Sequence, residues 1–317
     1  MKIVITDAAT VFDQAVTVEP LLRFGEVTVR QRTAPEELAE AVADAEAVLC
    51  NKSPLTAEVL KGAKKLKYIG LFATGYNNID TRYCRDHGIT VCNAGSYSTR
   101  AVVQQTFALM LEHFNRVGDY DRFVKEGGWV NSPTFSPFVF PLNEIADKTL
   151  GIVGVGSIGS AVAAVANAFG MRVLGYSRRP KPTDGVEFVS FDSLLRESDV
   201  VTVHCPLNAD SAGMFGAEAF RKMKPAALFI NTARGGVVQE AALAAALNGG
   251  IIGGAAVDVL AAEPMAADCP LRGAKNLIFT PHVAWAPVET RRRLIGIVAE
   301  NIQAFLDGRP IRTVQDL

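Results

Sequence analysis

The sequence predicts an α/β protein with two domains, each built on a parallel β-sheet with helices on both faces. Short runs rich in β-branched residues alternate with helical segments along nearly all of the 317 residues, a pattern typical of doubly wound parallel sheets. The strand–helix series also starts twice, on either side of a helical stretch from about residue 100 to residue 127. A last long helix follows the final strand and can return to the first domain, which makes the second domain an insertion.

The predicted elements follow one another in two series. In the first, KIVIT, EVTVRQ, AVLC, KYIGLF and ITVCNA are strands, and APEELAEAVADA, TAEVLKGA and TRYCRDHG are helices or helical turns. In the second, KTLGIVG, MRVLGYS, VVTVHC, ALFINT, GGAAVDV and NLIFTPH are strands. The segment PVETRRRLIGIVAENIQAFLDG is the last helix.

The composition excludes several classes of protein. A net charge of −1, with 21% charged residues, argues against nucleic-acid binding through a basic surface. No apolar run reaches the length of a membrane span, and MKIVITDAAT has the pattern of a first strand rather than of a signal peptide. The five cysteines are scattered without a C-x-x-C pair, which predicts reduced thiols in a cytoplasmic protein and no metal site.

A glycine-rich turn follows the first strand of the second series. In TLGIVGVGSIGSAVAAVANAFG, Gly154 permits a tight turn, Gly156 lets the backbone approach a pyrophosphate, and Gly159 lets the helix pack closely on the strand. The following helix would present free N–H groups and its positive end to the phosphates. The segment therefore predicts dinucleotide binding; the alternative is a glycine turn in a parallel sheet without a ligand.

The four histidines differ in their predicted surroundings. His87 precedes a glycine at a helix end and is expected to be a solvated cap, and His113 lies within a long helix, where a packing or surface role is favoured over catalysis. His204 ends a strand at the ligand-facing edge of the sheet, where a role in the pocket wall is favoured over proton transfer. His282 also follows a strand directly, and it is the histidine best placed to exchange a proton in a cleft.

Two charged residues, Arg234 and Glu263, follow the two predicted strands that precede the strand of His282. Arg234 follows LFINTA, and a charge at the end of an apolar strand is costly unless it meets a ligand or a partner. Glu263 precedes Pro264, which favours an extended conformation at residue 263. Arg234, Glu263 and His282 therefore bring a carboxylate-binding group, a tuning acid and a proton donor to one edge of the sheet.

Four segments together resemble the D-isomer-specific 2-hydroxyacid dehydrogenase family: GVGSIGSAVA, INTARGG, VDVLAAEP and TPHVAWA. The resemblance covers nearly the whole chain. Within the family the chain is most similar to glycerate dehydrogenases, also called hydroxypyruvate reductases, through NKSPLTAEVL, YIGLFATGYNNID and PHVAWAPVETRRRL. The resemblance implies hydride transfer between a nicotinamide cofactor and a small 2-keto or 2-hydroxy acid, and it implies hydroxypyruvate as the substrate, with glyoxylate as a rival or second one.

The resemblance also implies a role for individual residues. Arg234 would hold the substrate carboxylate, His282 would be the acid/base, and Glu263 would stabilise the protonated imidazole so that a proton is available for reduction. The backbone N–H groups of Thr74, Gly75 and Tyr76 would bind the substrate carboxylate. The implied cofactor-binding residues, with Asp258 on the nicotinamide amide and Val102 against its ring, are Val102, Gly154, Gly156, Ser157, Ile158, Gly159, Ser177, Arg178, Arg179, His204, Cys205, Pro206, Thr232, Ala233 and Asp258.

The family layout implies a Rossmann cofactor domain, residues 98–286, inserted in a flavodoxin-like substrate domain, residues 1–97 plus 287–317. A hinge would close the cleft on the substrate. It also implies a homodimer formed through the long helix and the arm WVNSPTFSPFVFPLNEI, whose three phenylalanines stand among prolines. The alternative is an arm folded on its own domain.

The segment LGYSRRPKP predicts which dinucleotide is preferred. NAD-selecting folds carry an acid about twenty residues after the glycine turn, but Ser177 stands there, followed by Arg178 and Arg179. These residues favour a 2′-phosphate, so NADP(H) is expected to be preferred and NAD(H) to be possible. The alternative is that both arginines are solvated or stack on adenine, and that NADH is used.

Other functions remain open on the sequence alone. Formate dehydrogenases carry glutamine where Glu263 stands, and many phosphoglycerate dehydrogenases carry a regulatory C-terminal domain that is not expected here, because the chain ends soon after the last helix. A different class is a dinucleotide-sensing binding protein, such as the corepressors that share this fold. Turnover of hydroxypyruvate with NADPH would separate an enzyme from such a sensor.

Overall fold

The computed structural model describes residues 1–314; residues 315–317, the end of the expected substrate domain, lie outside the described part. The chain divides into two compact units, Met1–Ser98 together with the segment from Ala286 onward, and Thr99–Trp285. Each unit contains one parallel β-sheet with helices, so the predicted fold class is confirmed.

Both sheets are formed by short strands that are mostly buried. Within residues 1–314 the strands are β1 (Lys2–Ile5), β2 (Glu26–Val29), β3 (Ala47–Cys50), β4 (Tyr68–Leu71), β5 (Thr90–Cys92), β6 (Thr149–Val153), β7 (Arg172–Tyr176), β8 (Glu187–Phe188), β9 (Val200–Val203), β10 (Leu228–Asn231), β11 (Gly254–Val257) and β12 (Leu277–Phe279).

The helices alternate with these strands. In the same part of the chain the α-helices are α1 (Glu19–Leu22), α2 (Leu38–Val42), α3 (Ala57–Leu60), α4 (Thr81–Asp86), α5 (Thr99–Asn115), α6 (Val117–Lys125), α7 (Ser157–Ala168), α8 (Phe191–Glu197), α9 (Ala217–Lys222), α10 (Glu240–Asn248) and α11 (Val288–Leu306). None of them is long and apolar enough to cross a membrane.

The first unit has the strand order β2-β1-β3-β4-β5, which is that of flavodoxin-like sheets. Its central strands are buried along their whole length because helices cover both faces of the sheet. The last helix, α11, belongs to this unit and contacts β4 and α1. Its buried side chains, among them Leu294, Val298 and Ile302, contribute to the core of the first unit.

The second unit has the order β12-β11-β10-β9-β6-β7-β8, and all its strands are parallel. Successive residues of β10 alternate between two cores: Leu228 and Ile230 pack on one face of the sheet, and Phe229 packs on the other. The strand order reverses direction at β6, between its neighbours β7 and β9. In open α/β sheets, ligands bind at the carboxyl edge next to such a reversal.

The structure differs from the prediction in the helical stretch between the two series. Instead of one helix from about residue 100 to residue 127, it has α5 and α6, because Arg116 takes a left-handed conformation with φ +52°. The Arg116 guanidinium donates to the Asp119 carboxylate of the next turn at 2.7 Å. This local ion pair accompanies the interruption, which the helical periodicity of the sequence does not signal.

Candidate active site

The glycine turn after β6 has the shape of a phosphate cradle. Gly154 has φ +97°, and a Cβ atom there would lie 2.5 Å from the backbone nitrogen of Cys205. A Cβ atom at Gly159 would clash with the Gly154 carbonyl oxygen, so the helix and the turn touch only because residue 159 has no side chain. The space beside Gly156 is open, and no side chain caps the first N–H groups of α7. These residues fit a bound pyrophosphate.

A cavity of about 650 Å³ opens at this turn. Eight of the predicted cofactor residues line it: Gly154, Gly156, Ser177, Arg178, Arg179, His204, Cys205 and Pro206. The prediction missed part of the lining, namely Val153, Val155, Tyr176, Asn208, Asp210, Ser211 and Met214. Several of these follow β9 in the segment PLNADSAGM, where an asparagine after a strand end is a recognisable turn signal.

Opposite charges face each other in this cavity. Arg178, which follows β7, forms an ion pair with Asp210, which lies on the loop after β9. Ser177 is oriented by the backbone, because its Oγ accepts a hydrogen bond from the Val155 N–H at 3.0 Å. Its own hydroxyl hydrogen remains available to a ligand in the cavity.

The imidazole of His204 is neutral at physiological pH, because burial lowers its pKa to about 3. Its Nε2 lies 3.0 Å from the Thr202 hydroxyl. A ring that resists protonation is a poor proton donor, and its position in the lining fits a role in the cavity wall.

His282 and Glu263 are brought into direct contact. The His282 Nδ1 lies 2.6 Å from the Glu263 Oε2, and the other carboxylate oxygen accepts a hydrogen bond from the Leu260 N–H at 2.9 Å. Both side chains are partly exposed. Because the carboxylate occupies Nδ1, the Nε2 atom is the ring nitrogen left to exchange a proton with a substrate.

Asp258 anchors the loop that carries His282. It is buried, and its carboxylate accepts hydrogen bonds from the N–H groups of Val283 at 2.9 Å and Ala284 at 3.0 Å and from the Thr280 hydroxyl at 2.5 Å. Its carbonyl oxygen also accepts from the His282 N–H at 2.7 Å. Sequence reasoning assigned Asp258 only to the nicotinamide amide and missed this anchoring.

Arg234 follows β10 on a loop that touches the loop of Glu263. A Cβ atom at Gly235 would clash with the backbone of Leu260, so the two loops meet backbone to backbone. Asn231 fixes the start of the Arg234 loop, because its side chain donates to the Arg234 carbonyl oxygen at 3.0 Å and accepts from the Ala233 N–H at 3.0 Å. The prediction noted the glycines after Arg234 without this contact.

The loop that carries Glu263 is also held by a hydrogen bond at Ala261. Glu240, the first residue of α10, accepts a hydrogen bond from the Ala261 N–H at 2.7 Å. In the described part of the chain, Glu240 forms no hydrogen bond with His282. It was not among the site residues predicted from the sequence. The Arg234 loop, the Glu263 loop and α10 therefore support one another at the edge of the sheet.

The remaining predicted cofactor residues do not line the cavity. Val102 and Thr232 are buried near one another: the Thr106 hydroxyl donates to the Val102 carbonyl oxygen at 2.8 Å and lies 3.3 Å from the Thr232 hydroxyl. Ser157, Ile158 and Gly159 form the first turn of α7, and Ala233 lies on the loop that follows β10.

The predicted substrate loop lies in the first unit, after β4. The Thr74 hydroxyl donates to the Gly95 carbonyl oxygen, and the Thr74 carbonyl oxygen accepts from the Asn93 amide at 2.7 Å. Tyr76 packs against the core of this unit. Asn93, which supports the loop, follows β5 and was not singled out in the sequence.

A Rossmann sheet with a phosphate cradle and a histidine–carboxylate pair defines a dinucleotide-dependent oxidoreductase. The family model "D-isomer specific 2-hydroxyacid dehydrogenase, NAD binding domain" matches residues 107–284. The chain belongs to the D-isomer-specific 2-hydroxyacid dehydrogenase family, and it is an enzyme that uses a nicotinamide dinucleotide.

Full-length relatives agree with this assignment. The chain is 38% identical to the hydroxypyruvate reductase of Blautia hydrogenotrophica over 99% of both chains. It is 41% identical to the glycerate dehydrogenase of Methylorubrum extorquens over 89% of both. Among solved structures, an acyclic imino acid reductase in complex with NADPH and D-Arg is 31% identical, with a TM-score of 0.87 over 99% of this chain and 100% of that one.

Proposed function

We propose that this enzyme reduces hydroxypyruvate to the corresponding D-2-hydroxy acid and prefers NADPH as the reductant. The observation that carries the proposal is the 2.6 Å contact between His282 and Glu263, a histidine held by a carboxylate at the edge of a dinucleotide-binding sheet. The names of the two relatives support hydroxypyruvate as the substrate.

In this proposal each residue has a defined task. Glu263 orients the imidazole through Nδ1, so that the protonated Nε2 of His282 donates to the keto oxygen as it becomes a hydroxyl. Arg234 holds the substrate carboxylate with two parallel hydrogen bonds, and the N–H groups of Thr74, Gly75 and Tyr76 contribute further ones.

The nicotinamide cofactor, when bound, supplies the hydride. Gly154, Gly156 and the first turn of α7, which includes Ser157, Ile158 and Gly159, would bind the pyrophosphate. At the nicotinamide end, Asp258 would bind the amide, and Val102, Thr232 and Ala233 would shape its pocket. His204, Cys205 and Pro206 would form the wall beside the adenosine.

His282→Ala tests the catalytic assignment. The variant is expected to lose about two to four orders of magnitude in kcat with hydroxypyruvate and to keep the Kd for NADPH, because the glycine turn is unchanged. His87→Ala, at the exposed end of α4 in the other unit, is the matched control and should retain full turnover. A His282→Ala enzyme with near-normal kcat would refute the assignment, and parallel assays with glyoxylate would rank the two substrates by kcat/KM.

The residues after β7 support the preference for NADPH. Ser177 and Arg178 line the cavity, and Arg179 adds positive charge to it. Replacing Ser177 with Asp and Arg178 with Ala is expected to shift the preference towards NADH, mainly by raising the KM for NADPH. A higher kcat/KM with NADH than with NADPH in the unmodified enzyme would contradict this part of the proposal.

We also propose the cytoplasm as the compartment. All five cysteines have free thiols, and unpaired cysteines are typical of proteins in a reducing compartment.

A further inference from the structure

We infer that Asp210 is a specificity-determining residue, which limits binding of a 2′-phosphorylated dinucleotide because its carboxylate competes with the 2′-phosphate for Arg178. The inference rests on the proposed function only in assuming that the dinucleotide occupies the cavity beside the glycine turn. It concerns a residue to which neither the sequence motifs nor the relatives assign a role.

The Arg178–Asp210 ion pair lies beside the glycine turn, where the dinucleotide is expected to bind. Arg178 follows β7 and Asp210 follows β9, and these strands flank β6 on its two sides. The Arg178–Asp210 pair therefore extends across the carboxyl edge of the sheet, over the strand that ends in the glycine turn, and both residues line the same cavity. A ligand that uses Arg178 from inside this cavity meets the Asp210 carboxylate.

The loop that carries Asp210 is held firmly. The Asn208 side-chain oxygen accepts hydrogen bonds from the N–H groups of Asp210 at 3.0 Å and Ser211 at 3.3 Å. The buried Ser211 hydroxyl donates to the Pro206 carbonyl oxygen at 2.7 Å. The loop therefore fixes the backbone at Asp210, and a ligand must separate Arg178 from the carboxylate instead of displacing the loop.

Asp210 and a 2′-phosphate are both negatively charged, and both are partners for Arg178. The acid that selects NAD is missing at Ser177, but Asp210 brings a carboxylate to the same cavity from the opposite side. A phosphate monoester carries about −1.5 to −2 charges near neutral pH, so a 2′-phosphate needs the Arg178 guanidinium and has to displace the Asp210 carboxylate from it. An uncharged 2′-hydroxyl does not depend on Arg178 in this way. The preference for NADPH is consequently smaller than Ser177 and Arg178 alone would produce.

Asp210→Asn tests this directly through binding, without turnover. Titration calorimetry would compare NADP⁺ with NAD⁺, and adenosine 2′,5′-bisphosphate with adenosine 5′-monophosphate. The variant is expected to bind each 2′-phosphorylated ligand about tenfold more tightly, the size of effect typical of one charge-assisted contact, and to bind its unphosphorylated counterpart within about threefold of the unmodified enzyme. Asp184→Asn removes the same charge from an exposed residue outside the cavity lining and should leave both ratios unchanged.

Repeating Asp210→Asn in an Arg178→Ala background separates competition from general repulsion. With Arg178 absent, the gain in affinity for NADP⁺ is expected to fall below about threefold. A full tenfold gain in that background would overturn the inference, as would equal changes for the two members of a ligand pair or no change at all. These outcomes are independent of the proposed function: an enzyme that is inactive on hydroxypyruvate, or that prefers NADH, can still show the selective gain.

Discussion

The contact between His282 and Glu263 joins two residues that only the fold brings together. Glu263 has two partners at once, because one carboxylate oxygen faces the imidazole and the other accepts from the Leu260 N–H. Glutamine in its place has one acceptor oxygen for these two positions and loses the negative charge beside the ring. The substitution therefore removes the charge and part of the hydrogen bonding that hold the imidazole.

Glu263→Gln is expected to lower kcat for keto-acid reduction by about 10²-fold and to leave the Kd for NADPH unchanged, because the amide no longer places a negative charge beside the His282 ring. Steady-state kinetics give kcat, and fluorescence titration gives the Kd. Glu240→Gln is the control, because that carboxylate holds the same loop at Ala261 and should leave kcat where it is. An unchanged kcat in Glu263→Gln would count against a role of Glu263 in catalysis.

Arg234→Lys is expected to raise the KM for the keto acid by at least about tenfold and to leave the Kd for the cofactor nearly unchanged. A guanidinium holds a carboxylate through two parallel hydrogen bonds, which an ammonium group cannot reproduce, and a hydrogen bond to a charged group contributes about 1.5–3 kcal/mol. Steady-state kinetics and fluorescence titration with NADPH would give the two quantities. Equal losses for both ligands would place Arg234 outside the substrate site.

At the scale of elements, the loops at the carboxyl ends of the strands are fixed by contacts of their own, besides carrying the residues that would contact a ligand. The turn after β6, the loop after β9 and the loop after β10 are held by close backbone contacts at Gly154 and Gly235 and by the side chains of Asn208 and Asn231. Parallel strands bring these loops to one edge, and the glycines let them approach without steric conflict.

The end of β9 also makes stability depend on pH. His204 keeps a pKa of about 3 in the folded protein, whereas in an unfolded chain a histidine takes up a proton below about pH 6.5. Keeping His204 neutral therefore costs no stability above about pH 6.5, and this cost grows as the pH falls from there towards 3. Between about pH 7 and about pH 5, the free energy of unfolding should fall by about 2 kcal/mol more in the unmodified enzyme than in His204→Gln.

Urea unfolding followed by tryptophan fluorescence measures this difference. Both tryptophans, Trp129 and Trp285, lie in the second unit with His204, so the signal reports on that unit. His87→Gln, in the first unit, is the control and should follow the unmodified enzyme. Parallel pH dependence for His204→Gln and the unmodified enzyme would contradict the expectation.

At the scale of the whole molecule, the arm of residues 129–145 presents large apolar side chains to solvent. Phe135 and Phe138 are 91% and 88% exposed, whereas Phe140 packs edge-on against Tyr120, 5.2 Å between ring centroids. Phe140 therefore packs on its own domain, as one alternative predicted, whereas Phe135 and Phe138 do not. An exposed apolar arm of this kind is suited to an interface, and we propose that it pairs two copies of the chain.

Phe135→Ser combined with Phe138→Ser is expected to convert a dimer into monomers. Burial of two phenylalanines contributes about 3–6 kcal/mol per arm, enough to shift the dissociation constant by several orders of magnitude. Size-exclusion chromatography with light scattering gives the mass. Leu22→Ser, at a half-exposed leucine of the first unit, is the control and should leave the mass unchanged. A monomeric unmodified enzyme at micromolar concentration would refute the pairing.

The sequence by itself determined the fold class, because alternation of strands and helices is a local pattern. It also indicated the glycine turn and the strand ends that carry Arg234, Glu263 and His282, since in a parallel sheet these ends share one edge. The residue roles drawn from the family resemblance remain proposals.

Only the tertiary structure decided which side chains meet at that edge. The Arg178–Asp210 pair, the Asp258 carboxylate on the His282 loop and the contact of Gly235 with Leu260 each join segments that are distant in the chain. Such contacts depend on which strands are neighbours and on how closely two loops approach. Local spacing carries no information on either, because strand order and loop packing arise only when the whole sheet has formed.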